Sequence, residues 1–217
     1  MILIPVKNLS HAKQRLAAVL DQPSRTALAH AMLLDVLEAL HAWAARPEVA
    51  LVTSDPYALE LAHRFAFTVL PDTANISETD AIEMATRVLE SRGVRSSLVI
   101  PADIPLIQGS ELEMILDAAP HEGSVLVPAA DGRGTNAAFR SPAGLFPLRF
   151  GNDSFRPHFA AARATGKPCL VLSFPGIALD IDNPADLPCL AAAPGQTHSQ
   201  RLLREWNLTD LPLAANE

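Results

Sequence analysis

Short apolar runs alternate with amphipathic stretches along most of this chain. Runs rich in Val, Ile and Leu between turn residues are typical of buried strands, whereas apolar residues three or four positions apart are typical of helices packed on one face. Strands are predicted at 2–6, 49–53, 67–70, 97–103, 124–129, 135–139 and 168–174. Helices are predicted at 24–44, 54–65, 77–93, 109–119, 152–166 and 200–206. The alternation predicts an α/β fold with a doubly wound, mostly parallel sheet that is covered by helices on both faces.

The length and composition favour one domain. The chain has 217 residues, of which 49% are hydrophobic, and this is enough to bury a sizeable core. We expect a core at 1–193 followed by a helical tail at 194–217. The apolar residues of the tail would pack either on the body of the domain or on a second subunit, so a homodimer is one expectation.

Composition also narrows the compartment and the partners. No uncharged apolar run approaches the roughly 20 residues of a membrane-spanning helix, and the apolar stretch at 1–6 is too short for a signal peptide. A cytoplasmic protein without a membrane partner is expected, with Cys169 and Cys189 as two buried thiols. The formal net charge of −7 argues against a nucleic-acid partner. The charge of residues 1–30 differs from that of the rest, because this segment contains four Lys and Arg residues and only one acid. This local positive charge favours an anion site.

Two carboxylates stand two positions apart in "ALDIDNPADL", at Asp180 and Asp182. In an extended strand such side chains share one face about 7 Å apart, where like charges repel. Either a cation lies between them or the second Asp serves a turn. For Asp182 a turn is a sufficient explanation, because Asp182 or Asn183 would cap a helix with Pro184 at its first position. Asp180 has no such explanation.

A third carboxylate ends the apolar strand of "VIPADIPL", where Asp103 stands between two prolines. By itself it could be a turn residue bonded to its own backbone. However, ligands of open parallel sheets lie outside the carboxyl ends of the strands, where three acids would need cations. Mg²⁺ prefers such oxygen ligands, and carboxylates about 7 Å apart could bracket one ion or a pair about 4 Å apart.

Basic residues follow the first strand in "PVKNLSHAKQRL". The segment has neither the glycine pattern of a P-loop nor that of a dinucleotide site. Lys7, at the carboxyl end of the strand, is the better candidate for a phosphate ligand, whereas Lys13 and Arg15 could equally be surface charges on a helix.

Two segments combine glycine with short polar side chains. In "DGRGTNAAF", Gly132 and Gly134 allow close backbone approach before Thr135 and Asn136, although a hairpin turn would use the same residues. In "FGNDSFRPHF", Gly151 and Ser154 stand at a helix start, where free N–H groups attract phosphate or carboxylate, although ordinary capping explains them equally well. His158 on that helix is more often a hydrogen-bonded partner than a ligand.

The five motifs quoted above, in the order and at the spacing in which they follow one another along the chain, resemble the guanylyltransferases of coenzyme F420 biosynthesis over about residues 2–190. The resemblance implies a Rossmann-like fold of the nucleotide-diphosphosugar-transferase type. It also implies transfer of GMP from GTP to a phosphorylated three-carbon acid with release of pyrophosphate. That acid is 2-phospho-L-lactate, phosphoenolpyruvate or 3-phosphoglycerate in different members.

The resemblance also assigns roles to residues of this chain. It implies catalytic roles for Lys7, Asp103 and Asp182, and Mg²⁺ ligation by Asp103, Asp180 and Asp182. It implies contacts with the phospho-acid from Thr135, Asn136, Gly151 and Ser154, and contacts with the nucleotide from Lys7, Lys13, Arg15, Asn75 and Ser77. No general base is required, because the acceptor phosphate has a second pKa near 6 and is mostly a dianion at neutral pH.

This chain departs from the family pattern at two places. Arg133 separates two glycines that are often adjacent in the family, and "ANISETDAIEMA" at 74–85 replaces the usual "GLN", which weakens the assignment of base recognition to Asn75 or Ser77. One alternative is a nucleotidyltransferase for the molybdenum cofactor or a sugar phosphate, although these usually carry a glycine-rich loop after the first strand. Another is a non-catalytic protein that binds GTP without releasing pyrophosphate.

Overall fold

A computed structural model describes residues 1–73, 76–151 and 153–208 of the chain. In this part, seven strands form one sheet in the order β3-β2-β1-β4-β6-β5-β7. The strands are β1 (Ile2–Val6), β2 (Val49–Thr53), β3 (Thr68–Pro71), β4 (Ser97–Val99), β5 (Gly123–Pro128), β6 (Thr135–Ser141) and β7 (Cys169–Val171). All neighbouring pairs are parallel except the two that involve β6, which runs against β4 and β5. The predicted mostly parallel sheet is confirmed.

Helices cover both faces of the sheet. They are α1 (Gln22–Ala42), α2 (Pro56–Arg64), α3 (Glu78–Ser91), α4 (Gly109–Ala118), α5 (Phe155–Ala164), α6 (Pro175–Ala178), α7 (Asp186–Ala192) and α8 (His198–Glu205). Two short 3₁₀ helices, Leu9–His11 and Gln14–Ala18, follow β1. None of the helices in the described ranges is long and apolar enough to cross a membrane. The prediction of two buried thiols was wrong, because Cys169 lies half-buried in the edge strand β7 and Cys189 of α7 is exposed.

The alternation of side chains in β1 separates two core layers. Ile2 and Ile4 pack with residues of α1, α2 and α4 on one face, whereas Leu3 packs with residues of α3 and α5 on the other. These β1 side chains are fully buried, and burial of one Leu or Ile contributes roughly 1.5–3 kcal/mol. The sheet is therefore held between helices, and its edges at the strand ends stay open for a site.

The predicted tail packs on the body of the same chain over the part that is described. Leu203 of α8 is fully buried in a third cluster with Leu28 and Met32 of α1. Asp35 of α1 accepts hydrogen bonds from the backbone N–H groups of His198 and Ser199 at the start of α8. Packing on the body is therefore the correct alternative for α8, and the homodimer stays a prediction.

The segment with the paired acids is neither a strand nor a cap in the predicted way. After α6 the chain runs through Asp180 and Asp182 outside the sheet, and α7 begins only at Asp186. The Asp186 carboxylate accepts the N–H groups of Asp182 (2.8 Å) and Asn183 (2.6 Å). The cap prediction was wrong because α7 begins later than expected, with Ala185 as its N-cap residue and no capping side chain. The Asp182 carboxylate instead faces Lys13 and Arg15.

Candidate active site

Most of the residues predicted to act lie at one edge of the sheet. Lys7 follows β1 directly, and Asp103 follows β4 after a short loop. Thr135 and Asn136 begin β6, which is antiparallel to β4, so its start lies at the carboxyl ends of the parallel strands. The topology therefore places the carboxyl ends of β1 and β4 and the start of β6 at one edge of the sheet, as expected for an α/β sheet.

Two adjoining cavities of about 490 and 470 Å³ open at this edge. We call the larger the threonine cavity, because its walls include Thr135, Asn136, Gly151, Ser154 and Asp180. We call the other the lysine cavity, because its walls include Lys7, Lys13 and residues of the loop after β1. Both are lined by Arg15, Glu78, Pro101, Asp103 and Asp182.

Lys13 lines the lysine cavity and contacts two carboxylates that line both cavities. Its Nζ lies 2.5 Å from Asp103 Oδ2 and 2.9 Å from Asp182 Oδ1. Burial alone would lower the pKa of Lys13, but the charges and hydrogen bonds of Asp103 and Asp182 together raise that pKa well above its usual value. The residue adopts left-handed backbone angles, φ 56° and ψ 41°, which cost a side-chain-bearing residue roughly 1–2 kcal/mol. Lys13 is therefore part of the site and not a surface charge.

A cation was expected between Asp180 and Asp182, but the cation that the structure shows, Lys13, lies between Asp182 and Asp103. Lys13 bridges Asp182 to Asp103, and Arg15 Nη1 adds a second contact 3.2 Å from Asp182 Oδ2. Burial raises the pKa of Asp182, but attraction by Lys13 and Arg15 outweighs it, so that the pKa lies below its usual value. Asp182 is accordingly an ionised carboxylate at neutral pH.

Asp180 points away from the lysines, into the threonine cavity. One carboxylate oxygen accepts a hydrogen bond of 3.0 Å from Asn136 Nδ2, which also donates to the carbonyl oxygens of Ile177 and Ala178. Burial, together with repulsion by Asp103 and Asp182, raises the pKa of Asp180 to about 6 despite the Asn136 hydrogen bond. The repulsion from its neighbours means that a cation placed beside Asp180 would stabilise its ionised form.

Two acids of the site were missing from the sequence prediction. Glu78, the first residue of α3, lines both cavities, and burial followed by repulsion from Asp103 raises its pKa to about 7. Asp72 is buried beside the end of β3 and accepts a hydrogen bond of 2.5 Å from Lys7 Nζ. Their signal was positional: one acid directly follows a strand at the carboxyl edge, and the other begins the next helix.

The three aspartates predicted to ligate Mg²⁺ do not converge on one point. Over the ranges that the structure describes, no three His, Cys, Asp or Glu side chains lie close enough to hold a metal ion together. Asp103 and Asp182 face Lys13, while Asp180 faces Asn136. Metal binding by these residues stays a prediction.

Ser77 acts as the N-cap of α3. Its hydroxyl oxygen accepts the backbone N–H of Asp80 at 3.1 Å, and its hydroxyl group contacts the Asp80 carboxylate. Asn75 lies outside the described residues. Contact of either residue with a base stays a prediction.

The small polar residues meet in the threonine cavity. Ser154 immediately precedes α5 but makes no side-chain capping bond, and its Oγ lies 3.4 Å from Thr135 Oγ1. Gly151 has a φ of +135°, which a residue with a side chain rarely adopts, and an added Cβ would meet nothing within 4 Å. The "DGRG" segment is indeed the turn between β5 and β6, and it lines the cavity as well. Thr135, Ser154 and the open backbone at Gly151 thus form a cradle of uncharged groups.

An exposed ion pair ties two loops together at the rim of this cavity. Arg133 binds both carboxylate oxygens of Asp153, the second through Nη2 at 3.1 Å. The backbone carbonyl of Arg133 also accepts the N–H of Phe155 at 2.8 Å. The residue that departs from the family pattern therefore connects the turn before β6 to the start of α5.

Comparison with known proteins places the chain among nucleotidyltransferases. A family model described as "Guanylyl transferase CofC like" matches residues 1–214. A phosphoenolpyruvate guanylyltransferase of Roseiflexus castenholzii is 37% identical, with 94% of this chain and 93% of the relative covered. A 2-phospho-L-lactate guanylyltransferase of Methanothermobacter thermautotrophicus is 32% identical, with 97% and 92% covered. A 3-phospho-D-glycerate guanylyltransferase of Colwellia psychrerythraea is 33% identical, with 88% and 90% covered.

Solved structures support the fold. A provisionally named nucleotide-diphospho-sugar transferase of Desulfovibrio desulfuricans G20 superposes with a TM-score of 0.77 at 19% identity, covering 96% of this chain and 95% of its own. A cytidylyltransferase of Leptospira borgpetersenii superposes with a TM-score of 0.58 at 12% identity, covering 100% and 98%. Together with the family match, these findings confirm the fold class and the family that the motifs predicted.

Proposed function

The chain belongs to the CofC-like guanylyltransferase family, and on that premise we propose that it transfers GMP from GTP to a phosphorylated three-carbon acid. Phosphoenolpyruvate, 2-phospho-L-lactate and 3-phosphoglycerate are the candidate acids, and the pathway is coenzyme F420 biosynthesis. Both substrates are charged metabolites of the cytoplasm, where we propose that the enzyme works.

One observation carries this proposal: Lys13 of the lysine cavity binds Asp103 and Asp182, two carboxylates that line both cavities. The lysine cavity offers the cations that a triphosphate needs, and the threonine cavity offers uncharged donors suited to a small anionic acceptor. A GTP α-phosphate where the two cavities adjoin would face the acceptor on one side and Lys13 on the other. The arrangement fits a reaction between two polyanions.

The reaction requires charge neutralisation more than proton transfer. A phosphate oxygen of the acid forms a bond to the α-phosphorus of GTP, while the bond from that phosphorus to the bridging oxygen breaks and pyrophosphate leaves. The attacking phosphate is already a dianion at neutral pH, so no side chain has to remove a proton. Lys7 and Lys13 would offset the charge of the triphosphate and of the leaving group, which otherwise repels the acceptor.

We propose that Asp103, Asp180 and Asp182 hold Mg²⁺, as one ion or two. The donor set fits, because Asp180 and Glu78 have pKa values raised in part by repulsion from neighbouring carboxylates. Mg²⁺ needs only one or two carboxylates, since it keeps several waters and binds substrate phosphates. When bound, the ion would neutralise phosphate charge and orient the α-phosphate.

The test is pyrophosphate release from GTP and Mg²⁺ with each of the three acids in parallel, repeated with EDTA and with ATP or CTP. We expect release that depends on one acid and on the metal, and this result would identify the acceptor. Release with GTP alone would indicate hydrolysis. Silence with all three acids, from a folded protein that binds GTP, would overturn the proposed acceptor class.

A further inference from the structure

His158 of α5 is a buried histidine behind the threonine cavity. Its side chain is only 1% exposed, and each ring nitrogen has one partner. Nε2 lies 2.7 Å from the backbone nitrogen of Arg149, and Nδ1 lies 2.9 Å from Thr135 Oγ1. The ring of Phe150, which lines the cavity, packs edge-on against the imidazole at a centroid distance of 5.2 Å. The imidazole therefore has a fixed position and orientation.

The two partners of His158 determine where its proton resides. The N–H of Arg149 can only donate, so Nε2 must be an acceptor and carry no hydrogen. A neutral imidazole with an unprotonated Nε2 has its proton on Nδ1. Nδ1–H then donates to Thr135 Oγ1 and cannot accept from it.

The surroundings keep the imidazole neutral. Burial, reinforced by the nearby Arg140 guanidinium, lowers the pKa of His158 to about 4. Arg140 is itself buried and fixed, since it donates to the carbonyl of Phe146 at 2.6 Å and to Thr86 Oγ1 at 3.0 Å. At neutral pH the ring is thus a neutral donor toward Thr135.

This arrangement fixes the direction of the Thr135 hydroxyl. A hydroxyl has one proton to donate, and Thr135 Oγ1 already accepts from His158 and, at 3.4 Å, from Ser154. Among the described residues, none accepts the Thr135 proton, and Thr135 lines the cavity. We propose that His158 is a positioning residue that makes Thr135 a dedicated hydrogen-bond donor to an anionic oxygen of the acceptor acid. The identity of that ligand rests on the proposed function, whereas the tautomer of His158 does not.

Two conservative variants separate the two ring nitrogens. His158→Gln places an amide near Nε2 and can keep the bond to Arg149, but it loses the donor to Thr135. His158→Asn places an amide near Nδ1 and keeps that donor. In the Gln variant we expect KM for the acid to rise by tenfold or more, because the loss of one hydrogen bond to a charged group has about this effect. KM for GTP should change by less than about twofold, and the Asn variant should recover most of the loss.

A double-mutant cycle with Thr135→Val tests whether His158 acts through the Thr135 hydroxyl. If His158 acts through the Thr135 hydroxyl, the His158→Gln change should have little further effect in the Thr135→Val background. Thr165→Val, which removes a hydroxyl at the end of α5 outside both cavities, is the matched control and should leave KM for the acid close to that of the unmodified protein. Equal rises in KM for acid and GTP, or fully additive losses, would overturn the proposal.

The tautomer can be measured in the free protein, without any turnover. Nitrogen-15 NMR at pH 7.5 should show His158 with a protonated Nδ1 and an unprotonated Nε2, the signal being assigned by its loss in His158→Gln. A protonated Nε2 or an imidazolium would overturn the inference, whatever the substrate. Absence of pyrophosphate release from the unmodified protein would instead refute the proposed function and leave this measurement valid.

Discussion

The lysine cavity and the threonine cavity share a wall but differ in how their polar groups are paired. In the lysine cavity, cations meet carboxylates that are distant in sequence, as in the pairs Lys7 with Asp72 and Lys13 with Asp103. In the threonine cavity, the Ser154 hydroxyl meets the Thr135 hydroxyl, whose direction a neutral histidine fixes. The Asn136 amide there donates to Asp180. An ion pair that lines this cavity and not the lysine cavity, Arg133 with Asp153, lies at its exposed rim.

This difference suggests that the two cavities have different roles, one in binding the triphosphate and the other in recognising the acceptor acid. Interactions between charges depend weakly on direction, so the lysine cavity can hold a flexible triphosphate and adjust as it reacts. Hydrogen bonds depend strongly on angle, so a cradle of fixed donors can distinguish acids that differ by one hydroxyl or a shifted phosphate. We therefore expect variants of the lysine cavity to affect turnover and variants of the threonine cavity to affect acceptor recognition.

The largest effect should come from the shared wall. Asp103→Asn keeps the shape of the side chain but removes its charge, and we expect a loss of turnover of about 10²–10³-fold or more. The protein should still fold, with a lower melting temperature because buried Lys13 loses one of its two aspartate partners. Asp182→Asn should behave alike. Pyrophosphate release and thermal unfolding measure the two properties. Asp117→Asn, an exposed acid of α4, is the matched control, and full activity in a folded Asp103→Asn protein would contradict the catalytic and metal assignments.

Removal of the buried ammonium should have the next largest effect. Lys13→Met leaves Asp103 and Asp182 with less compensating charge and deprives the triphosphate of a cation. We expect kcat/KM for GTP to fall by about a hundredfold, the magnitude typical of losing one electrostatic contact. Lys167→Met is the control, since it also removes one ammonium and one ion pair, at the exposed contact with Glu122. Similar activity in both variants would show that Lys13 does not contact the nucleotide.

The neutral histidine should appear as a pH dependence of stability. Its pKa in the folded protein is about 4, below the ordinary 6.5, so the unfolded chain binds a proton first as the pH falls. The quantity to follow is the free energy of unfolding of the unmodified protein minus that of His158→Gln. This difference should not change with pH above pH 6.5, and it should decrease by at most about 3 kcal/mol as the pH falls from 6.5 to 4. Urea unfolding of both proteins at each pH measures this difference. A constant difference across that range would show that His158 is charged in the folded state.

The smallest effect should come from the rim. Arg133→Ala and Asp153→Ala each remove an exposed ion pair, which solvent screens, and each should change KM for the acid by at most about fivefold. The double variant should match the single variants if the pair acts only as a tie between the two loops. A much larger rise with Arg133→Ala alone would place its guanidinium on the acceptor and weaken the division between the cavities. Steady-state kinetics with the preferred acid decides between these outcomes.

Local patterns in the sequence determined most of the fold. Ile2–Val6 and Val49–Thr53 have the predicted bounds, and most other elements differ from the predicted bounds by a few residues. The exceptions are informative: the predicted strands 97–103 and 168–174 are reduced to Ser97–Val99 and Cys169–Val171. For the first of these, burial extends beyond the last residue that pairs in the sheet, since Ile100 is fully buried. The second is an edge strand, and its Leu170 and Val171 are exposed, so its apolar run did not indicate burial.

The motifs determined the family and the edge of the sheet on which the site lies, whereas only the tertiary structure decided which side chains meet. Lys13 joins Asp103 and Asp182, which are 90 and 169 positions away, and His158 joins Thr135. Tertiary structure also brought Glu78 to both cavities and Asp72 to Lys7. Burial and helix periodicity are properties of neighbouring residues, so a sequence displays them directly. Ion pairs and hydrogen bonds instead require atoms to lie within about 3 Å of each other, and distances of that scale are set by the packing of the whole domain.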